Sequence, residues 1–189
     1  MPFNFKKTDI EGLVLIEPQV FKDERGYFFE NFKKSDFLNN GIDVDFVQEN
    51  CSKSAKGVIR GLHFQRAPYA QGKIITCIKG EILDCAVDLR KDSKTFKNYL
   101  LFNLNEENKH SLFIPKGFAH GFLTLSDTAE ISYKITGAQY NKDSEFGIIY
   151  NDPELNINWD IDFEPILSNK DKILPKLSEI KPEDLFWKS

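Results

Sequence analysis

Just after the Lys79-Gly80-Glu81 turn, two sets of side chains interleave: Ile82, Asp84, Ala86 and Asp88 alternate with Leu83, Cys85, Val87 and Leu89. Successive residues of a strand point to opposite faces, so a period of two specifies extended backbone and is incompatible with a helix, whose period is 3.6. The pattern predicts a half-buried antiparallel hairpin over 73–90. Further strand signals fall at 13–16, 99–104, 111–114, 121–125 and 129–136, separated by Gly, Asn, Asp and Pro. Short strands spaced this way predict an all-β sandwich or barrel. Seventeen Phe suit the core of such a fold. Helical pattern is confined to 33–38, 170–174 and 182–187, and the segment around Asp152-Pro153 and Asn158-Trp159 reads as a tail wrapping back on the barrel.

The 189 residues fit a single domain, 1–189, large enough to bury a core. A net charge of −4 argues against a nucleic-acid or membrane-surface binder, which needs a basic excess. An anionic ligand must then be held by local Arg and Lys. Three cysteines, Cys51, Cys77 and Cys85, are too few and too unpatterned for a disulfide framework. Cys77 and Cys85 read as small buried hydrophobes. The first twelve residues lack an apolar signal core, and no stretch approaches 18 apolar residues, so the expected setting is cytoplasmic.

The chain has three histidines: His63, His110 and His120. His63 lies in Gly57-Val58-Ile59-Arg60-Gly61-Leu62-His63-Phe64-Gln65, three residues after Arg60. An imidazole titrates near neutral pH and serves as a base towards carbon or oxygen. A guanidinium clamps phosphate through two parallel hydrogen bonds. The pairing suggests proton chemistry on a phosphorylated substrate. On a regular strand, positions 60 and 63 face opposite ways, so one pocket requires a bulge, and Gly61 is suited to it. A base also needs a carboxylate to orient it, and Asp84, Asp88 and Asp171 all remain open.

Other residues carry chemistry less sharply. Tyr133, in Ile131-Ser132-Tyr133-Lys134-Ile135, is either a proton donor opposite the histidine or a packed barrel tyrosine. Lys73 either stabilises an enolate oxygen or ends a strand in solvent. The stretch Asp23-Glu24-Arg25-Gly26-Tyr27-Phe28-Phe29-Glu30 offers aromatic faces to a base, with polar contacts from Arg25 and Glu30, or is an edge strand of mixed exposure. The polar run Gln48-Glu49-Asn50-Cys51-Ser52 offers amide donors to phosphate, or forms a turn. Three dispersed histidines without an HxH pair make a poor ligand set, so no catalytic metal is expected. There is no P-loop, no GxGxxG and no G-x-S-x-G elbow.

Taken in order, these segments resemble the dTDP-4-dehydrorhamnose 3,5-epimerase family. The resemblance rests on the 23–30 stretch, Val47-Gln48-Glu49-Asn50, Arg60-Gly61-Leu62-His63-Phe64-Gln65 and Gln71-Gly72-Lys73. It continues through 80–90, Ile114-Pro115-Lys116-Gly117-Phe118-Ala119-His120-Gly121-Phe122, Ser132-Tyr133-Lys134, 140–145, Asn151-Asp152-Pro153 and 166–171. It spans nearly the whole chain. It implies a double-stranded β-helix (cupin, or jelly-roll) barrel with a few short helices, acting without a cofactor on a nucleotide-diphosphate 4-keto-6-deoxy sugar, dTDP-4-keto-6-deoxyglucose first among them, and supplying dTDP-rhamnose for surface polysaccharide.

By the same resemblance His63 is the base, held by Asp171. Lys73 stabilises the enolate, and Tyr133 returns a proton from the opposite face. Arg25, Gln48, Asn50 and Arg60 hold the diphosphate and nucleotide, Glu30 lies by the base, and His120 and Tyr140 line the pocket. A homodimer with exchanged N-terminal strands is also implied. One departure stands out: where the family commonly has YK-T-x-Y-Y-x-P, this chain has Tyr133-Lys134-Ile135-Thr136-Gly137-Ala138-Gln139-Tyr140-Asn141-Lys142. The alternatives kept open are a monoepimerase or ketoisomerase, an epimerase for a CDP- or GDP-linked sugar, and a non-catalytic sugar-nucleotide-binding module.

Overall fold

The computed structural model describes residues 2–186; Met1 and residues 187–189 lie outside them, and with them Trp187, the last residue of the helix expected over 182–187. The strands are β1 (Phe3–Lys7), β2 (Val14–Pro18), β3 (Phe21–Asp23), β4 (Gly26–Phe28), β5 (Phe46–Ala55), β6 (Ile59–Gln65), β7 (Gly72–Lys79), β8 (Glu81–Asp88), β9 (Tyr99–Asn105), β10 (Ser111–Ile114), β11 (Phe118–Thr124), β12 (Thr128–Thr136) and β13 (Glu145–Gly147). One helix, α1 (Lys34–Asn39), precedes β5. The other two expected helices are single 3-10 turns, Asp171–Ile173 and Pro182–Asp184.

Two antiparallel sheets face each other. One has the order β1-β2-β10-β7-β12-β5, the other β13-β6-β11-β8-β9, and β3 and β4 form a separate ribbon. This is the double-stranded β-helix, or jelly roll. The expected hairpin over 73–90 is corrected by this topology. β7 pairs with β10 and β12, whereas β8 pairs with β11 and β9. The turn at Gly80 carries the chain from one sheet to the other. A Cβ there would lie 2.1 Å from the Thr128 carbonyl oxygen, and Gly80 adopts a positive φ of 76°. Alternation specified the two strands but carried no information on which strands they join.

Nor is β8 half-buried. Ile82 and Ala86 face the sandwich interior, against Ile75, Cys77, Leu112, Ile131 and Phe122. Cys85, Val87 and Leu89 face outward and are equally buried, because Leu155, Ile157, Trp159, Leu177, Ile180 and Phe186 of the C-terminal tail cover that face. The tail thus wraps the barrel as its composition suggested. Trp159 anchors it, 4% exposed, with its indole N–H donating to the Tyr150 carbonyl at 2.9 Å. Trp159→Ala is expected to cost about 3–5 kcal/mol, read as a lower midpoint in chemical denaturation. The outer face of the six-stranded sheet is closed by α1, whose Phe37 packs with Phe3, Val14, Ile16 and Ile74.

Candidate active site

Between the two sheets lies a cavity of about 580 Å³, lined by Ser52, Arg60, His63, Lys73, His120, Phe122, Tyr133, Ser168, Lys170 and Asp171, among others. A groove of about 920 Å³ elsewhere is lined by Arg90 and Lys116 and carries no histidine. Its Arg90 is committed to Asp88 through two hydrogen bonds of 2.8 and 2.9 Å. The smaller cavity is the one that gathers two histidines, a lysine and a tyrosine.

Arg60 and His63 reach this cavity together because β6 bulges. His63 pairs with His120 while Arg60 pairs with Phe122, so three residue steps on β6 match two on β11. The extra residue rotates positions 60 and 63 onto one face, as Gly61 foreshadowed. Gly61 has φ of 120°, and a Cβ on it would lie 2.6 Å from the Gly121 Cα and 2.7 Å from the His120 carbonyl oxygen. The strands approach this closely only where glycine meets glycine.

The His63 imidazole donates from Nε2 to Asp171 Oδ1 at 2.6 Å. Asp171 opens the 3-10 turn Asp171–Ile173 and is 3% exposed, and its backbone N–H donates to Ser168 Oγ at 3.0 Å. Burial works against the Asp171 charge, but the hydrogen bond and charge of His63 prevail, holding the carboxyl below its ordinary range. The ring's other nitrogen is left to act on a ligand. Of the carboxylates left open by the sequence, Asp171 is the one that orients His63.

A second imidazole–carboxylate pair sits deeper. His120 Nε2 lies 2.8 Å from Asp84 Oδ2, and Asp84 is fully buried. Burial, opposed by Asp84, lowers the His120 pKa, with Lys73 and His63 adding to the depression. His120 is thus a neutral ring. The other Asp84 oxygen, Oδ1, is buried without a hydrogen-bond partner among the described residues. Lys73 enters from β7, and burial, resisted by Asp84 and Glu145, brings its pKa down to about 8.

Tyr133 enters from β12, in the sheet opposite His63. Its hydroxyl lies 2.9 Å from Ser52 Oγ. Burial pushes the phenol up to about 12, against the stabilising hydrogen bond of Ser52 and the charge of Arg60. At neutral pH it is therefore a proton donor. Arg60 donates from Nε to Ser54 Oγ at 2.9 Å. It is exposed, and so presents cationic charge at the cavity mouth.

The remaining expected residues lie apart from the cavity lining. Gln48, Asn50 and Tyr140 form one polar group: the Tyr140 N–H donates to Gln48 Oε1 at 2.9 Å, and Gln48 Nε2 donates to Asn50 Oδ1 at 3.0 Å. The Tyr140 hydroxyl donates to Glu145, which is ion-paired at 2.5 Å with Lys170 of the cavity lining. Gln48 and Asn50 belong to the strand β5, so the alternative of a turn at 48–52 is corrected; a solvent-facing edge strand has no apolar alternation to mark it. Arg25 is on the exposed β3–β4 ribbon, where it pairs with Asp23 at 2.5 Å. Neither Arg25 nor Glu30 lines the cavity of its own chain. Sequence reasoning left Ser52, Glu145, Ser168 and Lys170 without roles. Their only signal was proximity in sequence to stronger motifs. His120 lies within β11, which begins three residues before the strand expected at 121.

A jelly roll holding a carboxylate-oriented histidine against a protonated tyrosine, with a lysine and an arginine between and beside them, defines an acid–base enzyme for an anionic, carbonyl-bearing substrate. Comparison with known proteins makes this specific. The chain belongs to the dTDP-4-dehydrorhamnose 3,5-epimerase family, whose sequence model matches residues 7–179. The dTDP-4-dehydrorhamnose 3,5-epimerase of Shigella flexneri is 52% identical over 169 residues, covering 89% of this chain and 92% of that protein. The crystal structure of the Legionella pneumophila dTDP-6-deoxy-D-glucose-3,5-epimerase, in complex with dTDP-4-keto-L-rhamnose, is 43% identical, with a TM-score of 0.94 and 99% of both chains covered. A 3'-monoepimerase from Streptomyces bikiniensis, solved with dTDP-quinovose, is 32% identical with a TM-score of 0.84, covering 90% of this chain and 86% of that one.

Proposed function

We propose that the protein is an isomerase that inverts C3 and C5 of dTDP-4-dehydro-6-deoxy-D-glucose, giving dTDP-4-dehydro-L-rhamnose. The observation that carries the mechanism is the placement of the His63–Asp171 pair and the Tyr133 hydroxyl on opposite sheets around one cavity. The C4 ketone acidifies the protons on both neighbouring carbons. His63 takes one, becoming an imidazolium that Asp171 stabilises, and the electron pair moves onto the ketone oxygen as an enolate. Lys73 stabilises that oxygen. Tyr133 then delivers a proton to the opposite face of the same carbon, which inverts it. Carbon loses a proton and regains one, so the oxidation level is unchanged and no redox cofactor enters the balance.

Arg60 is assigned to the diphosphate, with His120 lining the sugar end. Gln48, Asn50 and Tyr140 flank the mouth on the nucleotide side. The β3–β4 ribbon leaves Phe21, Tyr27 and Phe28 exposed. In a homodimer, a second copy would cover these rings and receive Arg25 and Glu30 beside its own cavity. We assign the single domain to the cytoplasm, where its substrate class is made. Among the described residues, no helix is long and apolar enough to cross a membrane. The altered loop at 137–140 raises the monoepimerase reading, yet the 3,5-epimerases share more sequence with this chain than the monoepimerase does.

The test is proton NMR of the substrate in deuterated water. Deuterium uptake at both C3 and C5 with appearance of the L-sugar supports the assignment; uptake at one carbon alone overturns it in favour of a monoepimerase. The pH dependence follows from Lys73. Its folded pKa, about 8, lies below its ordinary 10.5. The ammonium is therefore present below pH 8 and lost above it, and kcat/KM is expected to fall as pH rises through about 8. Between 8 and 10.5 the unfolded chain binds the extra proton, so this group makes stability rise with pH while activity falls. Lys73→Arg is expected to abolish the alkaline fall in the pH profile.

A further inference from the structure

Resting on the assignment of Tyr133 as the acid, we propose that Ser52 is the positioning residue that aims the Tyr133 hydroxyl and relays a proton back to it after each inversion. Ser52 Oγ lies 2.9 Å from the Tyr133 hydroxyl and is the only hydrogen-bonding partner of that phenol among the described residues. Tyr133 in turn is the only partner of Ser52 Oγ among the described residues. The serine therefore has a lone pair to spare on one side of the phenol and an open side towards the cavity that it lines.

The placement is built by the sheet. Ser52 and Tyr133 sit on paired strands: Ser52 is opposite Ile131, and Tyr133 is opposite Asn50, so the two form a diagonal pair on the inward face. Such diagonal neighbours are within reach of a long side chain. Ser52 and Tyr133 are both half-buried, and both line the cavity.

The cycle requires that Tyr133 be reprotonated, and this link offers the route. When Tyr133 gives its proton to carbon, a phenolate is left in a site that disfavours its charge. In the relay, the Ser52 O–H passes its proton to the phenolate oxygen while a water O–H passes one to Ser52 Oγ. The hydroxide so formed is neutralised by the proton that the His63 imidazolium releases to solvent. Each bond broken is matched by one formed, and both catalytic groups return to their starting states. Before the transfer, the same hydrogen bond fixes the phenol about its C–O bond.

The experiment compares Ser52→Ala, Ser52→Thr and Tyr133→Phe by proton NMR in deuterated water with dTDP-4-dehydro-6-deoxy-D-glucose, after thermal melting establishes that each is folded. Ser52→Ala is expected to keep deuterium uptake driven by His63 while forming L-product roughly tenfold or more slowly, a part of the general-acid contribution. Ser52→Thr, which keeps the hydroxyl, restores product. The relay is overturned if Ser52→Ala forms product at the parent rate, or loses uptake and product in equal proportion. Tyr133→Phe separates the two ideas. Uptake without inversion supports the acid assignment, and then a normal Ser52→Ala sinks the relay alone. Full inversion by Tyr133→Phe sinks the acid assignment and the relay with it.

Discussion

Replacing His63 with asparagine is expected to slow epimerisation by about 10²–10⁴-fold, the usual weight of a positioned general base. Asparagine fits within the space of the ring, but its amide ends about where Nδ1 stands, short of the Nε2 that lies 2.6 Å from Asp171 Oδ1. The space vacated beside the carboxylate is polar and admits a water as its new partner, so the fold should survive. What is lost is the nitrogen that accepts a proton from carbon. Deuterium uptake at C3 and C5 should disappear along with product, because both begin with the same abstraction. Affinity for dTDP, measured by calorimetry, should change little, since Arg60 and the mouth residues are untouched. Retained uptake in this variant would refute His63 as the base.

Gly61→Val is expected to cost about 3–5 kcal/mol and to abolish activity at temperatures where the variant remains folded, placing it among the severe single substitutions. Two causes add. A valine at φ of 120° is strained wherever it sits, and here its Cβ would meet backbone rather than side chains, 2.6 Å from the Gly121 Cα. Backbone cannot rotate aside, so β6 and β11 must part or the bulge must flatten. A flattened bulge turns position 60 or 63 away from the cavity, separating the proposed diphosphate clamp from the proposed base. The denaturation midpoint and the NMR assay should fall together. A folded, fully active Gly61→Val would show that the bulge does not set the position of either side chain.

Much of this architecture was legible in the chain because the relevant patterns were local. The strand 111–114 coincides with β10, and 99–104 and 129–136 fall within a residue of β9 and β12. The bulge at Gly61 followed from the demand that two side chains share a face. Pairing was not legible. Nothing in the alternation at 82–89 says that β8 joins β11, and so nothing said that Asp84 meets His120. The same gap hid Ser52, whose meaning depends on a strand more than seventy residues away. Asp171 was one of 29 carboxylates by composition, and only the folding back of the tail brings it to His63.

The proposed base and acid, His63 and Tyr133, are mounted on different sheets, so the proposed reaction inherits its dimensions from the sandwich. Facing sheets stand about 10 Å apart, a spacing maintained by the side chains between them. Here those spacers are Ile75, Ile131 and Leu112 on one side and Ile82, Phe118 and Phe122 on the other. The hydrocarbon interior thus acts as a gauge block for proton delivery: it sets the width of the gap in which a flat enolate must lie between donor and acceptor. Residues that never meet a sugar thereby calibrate stereochemistry, and trimming one of them changes the chemistry by changing a thickness.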